Sequence, residues 1–97
     1  MIQLDLPSQL AAGWARFIEP LKEGRFLLQE GDALLETLRS SSPPDGPLPV
    51  DVVRWIWLIP FTLYWYGKDL PAEVDEDRFR QLEEDFYNEV SRWLGEP

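Results

Sequence analysis

The side chains able to do chemistry in this 97-residue chain are few in kind. There is no His and no Cys, which removes disulfides, Cys- or His-ligated zinc and haem, thiol nucleophiles and the Ser-His-Asp arrangement. Carboxylates, tyrosines, arginines and two lysines remain. The acids crowd into two short runs, "DED" at Asp75 to Asp77 and "EED" at Glu83 to Asp85. Such runs suggest two chemistries, binding of a hard cation and paired acid–base work.

Neither chemistry fits the spacing. Eight residues of helix set the two clusters about 12 Å apart, too far to share one ion. An EF-hand loop would need a central glycine, and a bidentate acid where Phe86 stands. A general acid needs burial to raise its pKa, whereas these acids take the polar side of an amphipathic pattern, with Arg78 and Arg80 spaced to pair with them. "GDAL" and "GKDLP" lack the spacing of a phosphate-binding loop. The expectation is a chain with no catalytic residue, no metal and no cofactor.

The acids retain a use in recognition. Eighteen Asp and Glu against nine Lys and Arg give a formal charge of −9, which disfavours direct contact with nucleic acid. Residues 71–97 hold nine acids and three arginines, net −6 of that total. A face so charged could steer a basic partner or imitate the phosphates of a nucleic acid. The plainer alternative is solubility for a domain with an apolar interior.

The second unusual stretch is "WIWLIPFTLYWYG", Trp55 to Gly67, with six aromatic rings, no charge and a central proline. A membrane-spanning helix needs about 20 apolar residues, and Arg54 and Lys68 bound this run too closely. Both parities are apolar, which argues against a half-buried strand. Pro49 and Asp51 suit a first helical turn and Gly67 a helix end, so the run reads as a helix kinked at Pro60. Val52, Val53, Ile56, Trp57, Pro60, Leu63 and Tyr64 then share one face, with Trp55, Leu58, Phe61 and Trp65 over much of the rest. A helix apolar all round is either central or covered by something else. Burial by its own neighbours competes with docking onto another protein, for which Trp55, Trp65 and Tyr66 are the candidate rings.

The other elements follow from periodicity. Leu10, Ala11, Trp14, Phe17, Ile18 and Leu21 form a helical stripe with Ser8 as its N-cap, stopping or bending near Pro20. Residues 20–40 read as helix throughout; the alternative makes "RFLLQ" extended and Asp32 an N-cap, and residues 24–31 stay open between the two. "SSSPPDGPLP", Ser40 to Pro49, reads as loop, with phosphorylation of its serines as a lesser possibility. The last segment pairs an Asp75 N-cap with a Val74–Phe79 staple, an apolar face of Phe79, Leu82, Phe86, Tyr87, Val90, Trp93 and Leu94, and Gly95 as a left-handed cap before Pro97.

Together these describe one all-α domain over residues 1–97: a compact bundle of three to four helices, at roughly residues 8–19, 20 or 32–40, 49–66 and 75–94, with a Pro/Ser-rich loop at about 40–49 between its halves. "MIQLDLPSQ" lacks a basic n-region and a long apolar h-region, so the expected location is the cytoplasm. The expected function is a non-catalytic adaptor, regulator or accessory subunit binding a larger protein, one with a basic surface being the natural fit. Its contact residues would be Trp55, Trp65, Tyr66, Glu76, Asp77, Glu83 and Glu84. A homodimer would cover the same rings. The competing readings are an inhibitor or immunity-type protein that blocks a basic partner or mimics nucleic acid, and a carboxylate-based enzyme.

Overall fold

Four helices follow one another without a strand in the computed structural model, which describes residues 5–43 and 46–95. They are α1 (Leu6–Lys22), α2 (Leu28–Arg39), α3 (Val50–Tyr66) and α4 (Glu76–Leu94). The molecule is the helical bundle expected. Pro44 and Asp45 of the expected loop, the first four residues of the amino terminus, and Pro97 beyond the last helix lie outside the described residues.

α1 begins two residues earlier than expected. Its N-cap is Asp5, whose carboxylate accepts from the Ser8 N–H at 2.9 Å, and Pro7 occupies the first turn, where a missing N–H costs nothing. Ser8 is thus inside the helix and serves as a donor to its cap. Hydrogen bonds from the Ser8 side chain and backbone hold the Asp5 carboxyl below the usual aspartate range. The helix also continues through Pro20 to Lys22. A proline this late deprives only the Arg16 carbonyl of its donor, and Arg16 is an exposed residue. What stops α1 is Gly24, at φ +84°, a conformation open to glycine at little cost.

Residues 23–27 are therefore not helical, against the expectation of helix throughout 20–40. The alternative with Asp32 as N-cap is not met either, because α2 starts at Leu28. Gly31, inside α2, has a packing purpose: an added Cβ would lie 2.6 Å from Leu82 Cδ2 and 2.9 Å from Phe17 Cε1. Two other helices approach α2 at that point.

Ser40–Pro43 and Gly46–Pro49 carry no helix. The serines at their start complete the end of α2. Ser40 Oγ donates to Glu36 O at 2.8 Å, alongside the Ser40 N–H at 2.9 Å, and Ser41 Oγ donates to Thr37 O at 2.8 Å, so the carbonyls of the last turn gain side-chain partners locally.

Helices α1 and α2 form one hairpin, α3 and α4 the other. Contacts run between α1 and α3 and between α2 and α4, which places α1 diagonally across from α4 and α2 across from α3. Leu10, Phe17 and Ile18 of α1, Leu34 and Leu38 of α2, Ile56, Ile59 and Leu63 of α3, and Phe79 and Phe86 of α4 meet in one buried cluster. Phe17 and Phe86 reach across the α1–α4 diagonal, stacked with ring centres 6.4 Å apart.

α4 begins as expected, with Asp75 accepting from the Arg78 N–H at 3.2 Å. Val74 packs against the buried cluster that includes Phe79. Gly95 has the expected positive φ of 87°, but its ψ of 164° lies outside the left-handed helical region. Gly67 ends α3 at φ −69°, so its glycine is needed for space: a Cβ would sit 2.8 Å from Leu63 O and 2.8 Å from Phe79 Cε1.

Candidate protein-interaction surface

The buried side of α3 is aliphatic. Val52, Ile56, Ile59 and Leu63 recur at i, i+4, i+7 and i+11 and face the core, with Thr62 beside them. The expected face was rotated from this one by most of a residue step, and the shift matters for every ring. Trp57 and Tyr64, grouped by spacing with Val52, Ile56 and Leu63, are both more than half exposed, as are Phe61 and Trp65. These four follow one another at i, i+4, i+7 and i+8, a continuous aromatic stripe on the side of the helix away from the core.

The stripe has internal order. Trp57 and Phe61 stack with ring centres 6.2 Å apart and planes 23° from parallel. Lys68 Nζ lies 4.7 Å from the centre of the Tyr64 ring and 5.4 Å from that of Trp65. The ring electrons attract the ammonium there. Tyr87 on α4, expected in the apolar face of its helix, is also more than half exposed.

The three expected contact rings divide. Trp65 stands in the stripe. Trp55 is half-buried and its ring meets Trp14 of α1 at 5.5 Å, so it helps join the two hairpins. Tyr66 is half-buried against the core cluster. Trp57, Phe61, Tyr64 and Tyr87 were missed as contact candidates. The signal available for the first three was weak: Val52, Ile56, Ile59 and Leu63 keep a helical spacing that turns the rings outward, but Val53 and Leu58 place aliphatic residues off it.

The four expected acids also divide. Glu76 and Glu83 flank Arg80, at 3.6 Å and 3.4 Å, and the same guanidinium donates to Gly67 O at 2.6 Å. Arg80 is thus held between α4 and the end of α3. Asp77 and Glu84 have no ion-pair or side-chain hydrogen-bond partner among the described residues. Further along, Asp85 meets Arg39 of α2 at 3.7 Å and Glu89 meets Arg92 at 2.9 Å. Arg78, expected to pair within the helix, makes no side-chain pair among the described residues.

Among the described residues, no group of three carboxylates converges as a metal set. No helix there is long and apolar enough to cross a membrane. A notch of about 280 Å³ opens between α3 and α4, lined by Pro60, Tyr64, Arg80, Glu83, Glu84 and Tyr87. It joins the ring stripe to the acidic helix. No protein-family model, no curated protein and no solved structure matches this chain.

Proposed function

We propose that the chain is a non-catalytic protein-interaction module, an adaptor, regulator or accessory subunit, whose contact surface is the α3 stripe of Trp57, Phe61, Tyr64 and Trp65. The carrying observation is that four neighbouring rings, each more than half exposed, lie opposite the aliphatic side of the helix that fills the core. Contiguous apolar patches of this kind mark interaction sites, and Trp and Tyr are enriched among residues that dominate binding energy. The partner is another protein, with a basic surface favoured by the charge of −9. A second copy would cover the same rings but would bring its own −9 against the first.

The competing readings have less support. Nucleic-acid mimicry wants acids that project freely, yet Glu76, Glu83, Asp85 and Glu89 lie beside arginines. Carboxylate catalysis wants a buried acid, and Glu76, Asp77 and Glu84 are exposed.

Affinity capture from the native host with mass spectrometry tests the reading by comparing the wild type with Trp57→Ala/Trp65→Ala. The expected result is a defined protein held by the wild type and lost by a variant of unchanged circular dichroism. The same protein held equally by both would overturn it. Binding that collapses between low and high salt and depends on Glu76, Asp77, Glu83 and Glu84 would favour the mimic instead.

A further inference from the structure

We infer that the notch between α3 and α4 receives an arginine side chain from the partner protein, seated against Tyr64 and Tyr87 and held by Glu84. The inference rests on the ring stripe being the docking surface, and it specifies what the partner must present beside that stripe.

Three observations carry it. First, the notch is about 280 Å³, just under the roughly 300–1,000 Å³ of small-molecule pockets, so it suits one inserted side chain better than a metabolite. Second, its lining has the two features a guanidinium needs together. Tyr64 and Tyr87 supply aromatic surface and Pro60 an apolar contact for the methylene stem, while Glu83 and Glu84 supply carboxylate oxygens. Third, the local charge is negative and unevenly spent. Glu76, Glu83 and Glu84 stand against Arg80 and Lys68. Arg80 is engaged by Glu76, Glu83 and the Gly67 carbonyl, which leaves Glu84 as the unpaired group at the notch.

Tyr64 already has a cation beside it, since Lys68 of the same chain lies over its ring at 4.7 Å. Lys68 does not line the notch, so the space itself remains open to a guest. Arginine fits better than lysine because a planar guanidinium can stack on a phenol ring while its edge meets a carboxylate. An anionic or purely apolar guest would leave Glu84 desolvated and without a partner.

The test uses the full chain and three neutral-backbone probes: N-acetyl-arginine amide, N-acetyl-norleucine amide and N-acetyl-glutamate amide. Ring resonances of Tyr64 and Tyr87 are followed by NMR as each is added. Arginine amide should shift both rings saturably and bind about two- to fivefold more tightly than norleucine amide, the scale of an exposed cation–ring contact. Glutamate amide should shift neither. Glu84→Gln and Tyr87→Leu, both at exposed positions, should each bring arginine down to the norleucine level with the fold intact by circular dichroism. Equal binding of arginine and norleucine, or undiminished arginine binding by Glu84→Gln, would overturn the inference. Its failure is distinct from failure of the docking surface: the probes read the notch alone, and Trp57→Ala/Trp65→Ala reads the stripe through partner capture.

Discussion

The guanidinium of Arg92, near the end of α4, donates to the main-chain carbonyl of Leu38 in the last turn of α2 at 2.7 Å. The same nitrogen also donates to Ser41 O at 2.9 Å. Hydroxyls of Ser40 and Ser41 reach the carbonyls of Glu36 and Thr37, and Leu38 O also accepts the Ser41 N–H at 3.3 Å, so Arg92 adds a shorter, charged donor from α4 to a helix end closed locally. One charged side chain thereby ties the two hairpins together at this end. Arg92→Ala should lower unfolding free energy by about 1.5–3 kcal/mol, the range for hydrogen bonds to charged groups. Arg92→Lys should recover only part, because the guanidinium meets the carbonyls through Nη2 while its Nε donates to Glu89 at 2.9 Å, a spread that a single ammonium nitrogen lacks. Urea denaturation of the three proteins measures this.

The two close-packed glycines should differ in a stated order. At Gly67 an added methyl meets the backbone oxygen of Leu63 at 2.8 Å, and backbone yields little, so Gly67→Ala should cost about 1–3 kcal/mol. At Gly31 the neighbours are side-chain atoms of Leu82 and Phe17, and better helix propensity returns roughly 1 kcal/mol. Gly31→Ala should therefore cost less than Gly67→Ala. The reverse order in thermal melts would contradict the packing described.

Rings and aliphatic residues on α3 should respond oppositely to truncation. Trp57→Ser and Trp65→Ser remove exposed groups, and each should change stability by no more than about 0.5 kcal/mol. Ile56→Ala, at a residue with no exposure, should cost about 2–5 kcal/mol. Denaturant midpoints for the three variants decide the matter, since a rotated α3 would exchange the results.

The cap of α1 should carry a pH signature. Its hydrogen bonds from Ser8 hold the Asp5 carboxyl below the ordinary aspartate value of 3.8. A depressed folded-state pKa contributes stability above the unfolded value and loses it as pH falls through the folded one. Wild type should thus exceed Asp5→Ala in melting temperature at neutral pH, and the gap should narrow as pH drops below about 3.8. Asp5→Asn, which can still accept from Ser8, should show a gap that does not change with pH. Melting curves between acid and neutral pH read both effects.

Much of the fold was legible in the chain. Phe79, Leu82, Phe86 and Trp93 mark the buried face of α4, and the Asp75 cap stands where its spacing from the apolar run placed it. That legibility has a local cause: an amphipathic helix carries its own phase, because polar residues occupy the side the apolar ones leave. Tyr87 was misplaced because an aromatic at the edge of such a stripe belongs to either side. The start of α1 was misread for another local reason, since Asp5 and Ser8 are both good caps and only the backbone shows which accepts and which donates.

Apolar periodicity with its caps and breakers therefore determined the helical class, and composition the acidic character and the absence of His and Cys chemistry. It also determined that Trp55 to Gly67 would hold more apolar surface than one neighbour covers. Only the tertiary structure decided which part of that surface is core. α3 is apolar around most of its circumference, so its periodicity has no strong phase, and the positions of α1 and α4 set it instead. Those neighbours take Val52, Ile56, Ile59 and Leu63 inward, which turns Trp57, Phe61, Tyr64 and Trp65 to the outside. The notch beside Glu84 is likewise a product of two helices meeting, and neither helix contains it alone.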